Sequence, residues 1–130
     1  MIGIDTNILL RVFIDDDPAQ VRAVRKRVAE AEAGQLFISI VVMVEFVWTL
    51  QAAFKVQRRD LIGALEGVLT RAVFVVEDRA EVEAALNRLK LGNVDFADVL
   101  ISTRNMRHGV DRTVSFDQSG IRQGLFEPLE

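Results

Sequence analysis

Met1-Ile2-Gly3-Ile4-Asp5-Thr6-Asn7-Ile8-Leu9-Leu10 decides how the rest of the chain is read. Apolar residues flank a glycine, an aspartate follows at once, and an apolar run resumes at Ile8 and continues through Val12 and Phe13. The pattern predicts a short buried strand that carries Asp5 to its carboxyl end and then turns into a helix. In open α/β sheets that edge is where ligands bind. An isolated carboxylate is very costly to bury, so Asp5 needs a cation, a donor network or water.

Outward from this stretch the chain alternates strands and helices. Asp15-Asp16-Asp17-Pro18 reads as a loop and a helix start, with Asp17 as N-cap and Pro18 in the first turn. This acidic triplet is a solvated cap rather than a metal site. An amphipathic helix over Ala19–Ala33 follows, ended by Gly34. Leu36-Phe37-Ile38 is a second strand, and Ser39 caps a helix over about Ile40–Phe54. That helix is apolar almost all round, so it is expected to be buried on more than one side, with a subunit contact as the second cover. Glu45 is its only charge, which marks it as a functional group.

A further helix is expected from Arg58 to about Leu69, a third strand at Val73–Val76, and a helix capped by Asp78 that runs to Lys90. Val94 to Ser102 opens another helix, closed by His108-Gly109, with Asp95 and Asp98 on one face near its start. Asp95 suits a helix-end acid. Asp98, among Phe96, Val99, Leu100 and Ile101, suits that role less well. A fourth strand is expected at Val110–Val114, then Ser115-Phe116-Asp117, a helical turn near Ile121 and a last short strand around Phe126 and Leu129. The order predicts a parallel α/β sheet covered on both faces, in a single domain over 1–130.

Composition narrows the function. The 130 residues contain no cysteine, which excludes disulfides and thiolate metal sites and fits a reducing compartment. The formal net charge of −3 does not advertise nucleic-acid binding. Yet only Lys26, Lys55 and Lys90 among the 16 basic residues are lysine, and arginine is the better phosphate ligand. No signal-peptide pattern opens the chain, and the apolar run Leu36–Val44 is too short to span a bilayer. A soluble, cytoplasmic protein is expected.

Asp5, Glu45, Asp98 and Asp117 each sit at a strand end or early in a helix, beside apolar residues. If the strands are parallel, Asp5 and Asp117 point to one edge. Two carboxylates about 5 Å apart repel by roughly 3 kcal/mol at an effective dielectric of about 20. A hard divalent cation or bound protons relieve that. Oxygen ligands without His or Cys select Mg²⁺ or Mn²⁺ over Zn²⁺.

With these residues in this order, the chain resembles the PIN domain, and within it the ribonuclease toxins of VapC type. The resemblance rests on Asp5-Thr6-Asn7, on Glu45, on Asp98-Val99-Leu100-Ile101-Ser102 and on Ser115-Phe116-Asp117. It implies a three-layer α/β/α sandwich with a central parallel sheet and metal-dependent cleavage of RNA. It also implies a homodimer and a cognate antitoxin of VapB type. Asp5, Glu45, Asp98 and Asp117 match the catalytic acids, with Asp5, Asp98 and Asp117 as metal ligands and Glu45 completing the shell or orienting water. Thr6, Asn7 and Ser115 match polar positions that hold the carboxylates or the phosphate, and Asp95 matches an acid present in some relatives. A water activated by the ion would attack phosphorus in line. Arg11, Arg104, Arg107 and Arg112 are candidates for a basic rim that meets RNA phosphates.

Two alternatives differ in kind. A receiver-like phosphoacceptor domain has similar length and acids at strand ends. It wants paired acids after the first strand and a late lysine, and this chain has Thr6 after Asp5 and no lysine beyond Lys90. A PIN-like module that binds RNA without cutting it would lack an intact acid set.

Overall fold

The computed structural model describes residues 1–130, which fall into two compact units, Met1–Arg79 and Ala80–Glu130. The first unit runs β1 (Ile2–Gly3), α1 (Thr6–Phe13), α2 (Pro18–Glu30), β2 (Leu36–Ile38), α3 (Ile40–Ala52), α4 (Arg58–Thr70) and β3 (Phe74–Val76). The three strands form a parallel sheet in the order β1-β2-β3, with Ile2 opposite Leu36 and Leu36 opposite Phe74. The second unit holds α5 (Arg79–Leu91, whose first residue belongs to the first unit), α6 (Phe96–Arg107), β4 (Val114–Ser115), α7 (Gln118–Arg122) and β5 (Glu127–Pro128).

Helix starts follow their caps. Asp17 accepts from the Gln20 amide at 3.1 Å with Pro18 at the first helical position, and Ser39 accepts from the Val42 amide at 3.2 Å. Such caps are worth about 1 kcal/mol each. The start of α3 gains another acceptor, because the Glu77 carboxylate takes the Ile40 amide at 2.7 Å. The acidic triplet before α2 is fully accounted for by Asp17 and by ion pairs of Asp15 with Arg25 and of Asp16 with Arg11. It is a cap, as its sequence suggests.

The core of the first unit is built from Leu9, Leu36, Ile38, Met43, Phe46, Leu50, Leu61, Leu65 and Val68, all essentially inaccessible. Fully burying a side chain of this kind contributes roughly 1.5–3 kcal/mol. α1 packs on both α2 and α3. The Phe13 and Phe46 rings meet at 5.7 Å, with the Arg71 guanidinium 5.2 Å from the centre of the Phe13 ring. Gly67 makes room for that ring, since a Cβ there would lie 2.8 Å from Phe13. In the second unit Val82, Ala85, Leu86 and Leu89 of α5, Val99 and Leu100 of α6, and Leu125 and Phe126 are buried.

Several expectations need correction. β1 is exposed rather than buried, because it is the edge strand of its sheet and Ile2 stays open. The helix read to Ala33 ends at Glu30; Gly34 instead takes φ +73° in the turn toward β2, a conformation glycine adopts without strain. α3 stops at Ala52 rather than near Phe54; the single chain leaves its Val41 and Trp48 68% and 66% exposed, which does not bear against the expected subunit cover. The fourth strand is displaced to Val114–Ser115 and pairs in parallel only with β5, not with the three-stranded sheet. Asp111 and Arg112 leave the preceding stretch polar and exposed, so it has no apolar face to anchor in a sheet.

Candidate metal-assisted active site

β1 delivers Asp5 as expected, but its local partner is a helix end. Asp5 is the N-cap of α1, exposed, with one carboxylate oxygen 3.0 Å from the Ile8 amide. Thr6, the first residue of α1, is buried, and its hydroxyl donates to a carboxylate oxygen of Glu45. This bond ties α1 to α3 and fixes the Glu45 side chain, which is itself exposed rather than enclosed in an apolar helix. Asp5, Thr6, Asn7, Leu10, Glu45 and Thr49 line an open pocket of about 200 Å³. Thr49 escaped the sequence reading; its one signal was its place four residues after Glu45, on the same helical face.

The second unit carries a separate set of acids. Asp95 is the N-cap of α6 and accepts from the Asp98 amide at 2.9 Å. Asp117 caps α7, accepting from the Ser119 amide at 3.0 Å, and Ser115 Oγ accepts the Asp117 amide at 2.9 Å, which shapes the turn. Asp98 and Asp117 are in side-chain hydrogen-bond contact. Burial, then the negative charge of Asp95, then the hydrogen bond with Asp117 and the charge of Asp117 push the Asp98 carboxyl up to about 6 from an ordinary 3.8. Two carboxylates can share a hydrogen bond only through a proton, which Asp98 holds below about pH 6.

The arginines expected at the rim are engaged within the chain. Arg11 pairs with Asp16 at 3.6 Å and donates to the Asn7 carbonyl at 2.9 Å. Arg104 and Arg107 both reach Glu81, at 3.2 and 2.9 Å, and Arg112 reaches Glu127 at 3.5 Å. A phosphate would have to displace those carboxylates.

Asp5, Glu45, Asp98 and Asp117 have no basic partner, and neither does Asp95. Asp15, Asp16, Glu81 and Glu127 are each paired with an arginine. The donor set is all oxygen, which suits a hard cation. No three acidic or imidazole groups stand together as a complete cage. Mg²⁺ does not need one, since it keeps several waters and is held through one or two carboxylates and substrate phosphates. The Asp98–Asp117 pair fits that demand.

An exposed acid after a parallel edge strand, a hydroxyl-held glutamate on α3 and a carboxylate pair near two later helix starts are the residues on which the resemblance to the PIN domain rests. The family model for that domain matches residues 2–122, and the chain belongs to the PIN domain family. Among known proteins it is similar to a VapC ribonuclease of Aquifex aeolicus (strain VF5), 27% identical over 124 residues, which cover 94% of this chain and 91% of that protein. No solved structure matches the chain. The family replaces the receiver-like alternative. No helix is long and apolar enough to cross a membrane.

Proposed function

We propose that this protein is a Mg²⁺- or Mn²⁺-dependent endoribonuclease, the toxin of a toxin–antitoxin pair. The observation that carries the reading is that Asp5, Glu45, Asp98 and Asp117 have no basic partner, while Asp15, Asp16, Glu81 and Glu127 are each matched to an arginine. Family membership and the similarity to a VapC ribonuclease supply the reaction class.

Asp98 and Asp117 would hold the ion, a role that the family resemblance also gives to Asp5. When bound, it supplies Lewis-acid stabilisation of the phosphoryl oxygens and makes water a competent nucleophile near neutral pH. Glu45, its orientation set by Thr6, would accept a proton from the attacking water as the water oxygen bonds to phosphorus and the P–O3′ bond breaks, the leaving O3′ taking a proton from solvent. Below about pH 6 a proton on Asp98 would compete with the ion, so affinity for the ion would rise with pH. Asp95 and Ser115 hold the backbone turns that present Asp98 and Asp117. Arg104, Arg107 and Arg112 reach RNA only by exchanging Glu81 or Glu127 for phosphate.

The exposed Val41 and Trp48 of α3 support a homodimer, and toxin chemistry calls for a VapB-like antitoxin and a cytoplasmic setting where RNA is at hand. The test is incubation of the purified chain with transfer, ribosomal and messenger RNA, with Mn²⁺ or with chelator. Cleavage is expected only with metal and only while Asp5 is intact. Metal-independent cutting, or full activity in Asp5→Asn, would overturn the assignment.

A further inference from the structure

The pocket beside Asp5 poses a problem of donors. Phosphodiester oxygens accept hydrogen bonds and cannot bond to ionised carboxylates, and Asp5 and Glu45 are acceptors only. Leu10 offers nothing, and the Thr6 hydroxyl is already given to Glu45. Two side-chain donors remain on the lining, the carboxamide of Asn7 and the hydroxyl of Thr49, beside the backbone N–H groups of Thr6 and Asn7 at the start of α1. Threonines inside helices commonly return their hydroxyl to the carbonyl four residues back. Thr70 does so to Glu66 at 2.8 Å and Thr103 to Val99 at 2.9 Å. Thr49 makes no such bond, so its hydroxyl is free for an occupant of the pocket.

We infer that Thr49 is a substrate-contacting residue whose hydroxyl donates to a phosphate oxygen of the bound RNA strand. It stands one helical turn after Glu45, on the same face of α3, so it meets the backbone next to the acid that handles water. A neutral donor suits this place, because an arginine or lysine would pair with Asp5 or Glu45 and compete with the cation. The inference rests on the ribonuclease reading and extends it to a residue with no acid–base chemistry.

The test compares Thr49→Val, which keeps shape and removes the hydroxyl, with Thr49→Ser, which restores it. Each is assayed with the same RNA panel and Mn²⁺, alongside thermal melting. A lost hydrogen bond of about 1 kcal/mol is expected to raise KM about 5-fold in Thr49→Val, with kcat little changed. Thr49→Ser is expected to recover the native KM. Binding of labelled transfer RNA to Asp98→Asn, with and without Thr49→Val, reads the same contact without turnover. Native KM in Thr49→Val, equal losses in both variants, or a loss that tracks a lowered melting temperature would each overturn it. If the native chain cuts no RNA with any metal, the ribonuclease reading falls first, before any Thr49 variant is compared.

Discussion

Asp98 stores an electrostatic cost that its removal should release. Its carboxyl is pushed up to about 6 by burial, then by Asp95 and Asp117, against 3.8 for the unhindered acid. The folded state therefore binds this proton more tightly than the unfolded state. By linkage, the contribution of Asp98 to stability is most favourable below pH 3.8, declines as pH rises, and levels off as an unfavourable one above about 6. Asp98→Asn is expected to abolish cleavage while melting at an equal or higher temperature than the native chain in metal-free buffer at neutral pH. The gain should shrink as both proteins are taken toward pH 4, where native Asp98 is protonated in either state. A melting temperature well below native at neutral pH would mean the carboxylate supports the fold. The lone acid flanked by Phe96, Val99 and Leu100 was visible in the sequence. Its hydrogen bond to Asp117 was not, because it depends on how α6 and the turn before α7 are packed.

α3 joins two jobs along one face. Val41, Glu45 and Trp48 recur at helical spacing and are exposed, while Met43, Phe46, Val47 and Leu50 are buried on the other side. The composition of the helix announced that more than one side had to be covered, and the structure identifies the side that this chain leaves open. An indole that is 66% exposed beside an equally open valine is expensive to leave in water, which is the argument for a second copy of the chain there. Trp48→Arg combined with Val41→Lys is expected to give a monomer at micromolar concentration in sedimentation, with the melting profile retained. A native chain that is already monomeric would remove the case for the dimer. Helices were legible because their caps are local: Asp17, Ser39 and Asp95 all act where the sequence puts them. The burial of β1 and the place of β4 were misjudged because pairing and exposure in such short pieces depend on distant backbone rather than on their own residues.

Neither compact unit contains the whole set of acids. Asp5 and Glu45 belong to Met1–Arg79, whereas Asp98 and Asp117 belong to Ala80–Glu130. The PIN family match runs through both, from residue 2 to residue 122. The acids were readable one by one because each follows a local signal, a strand end or a helix start. Their common purpose was readable only through the family pattern, since no spacing rule links residues this far apart in sequence. The proposed chemistry therefore makes a demand that neither unit meets alone: acids from the two must serve one reaction. A double-mutant cycle on the full chain measures that. Residues that act as a unit are strongly non-additive, so once one is removed the second costs little more. Asp5→Asn and Asp98→Asn are each expected to lower Mn²⁺-dependent cleavage by at least about 100-fold, and the double variant to fall little further. Calorimetric Mn²⁺ binding should weaken in the same non-additive way. Independent roles predict the opposite, losses that multiply in cleavage and sum in binding free energy. Multiplying losses would divide the acids between separate tasks and withdraw the shared ion from the mechanism.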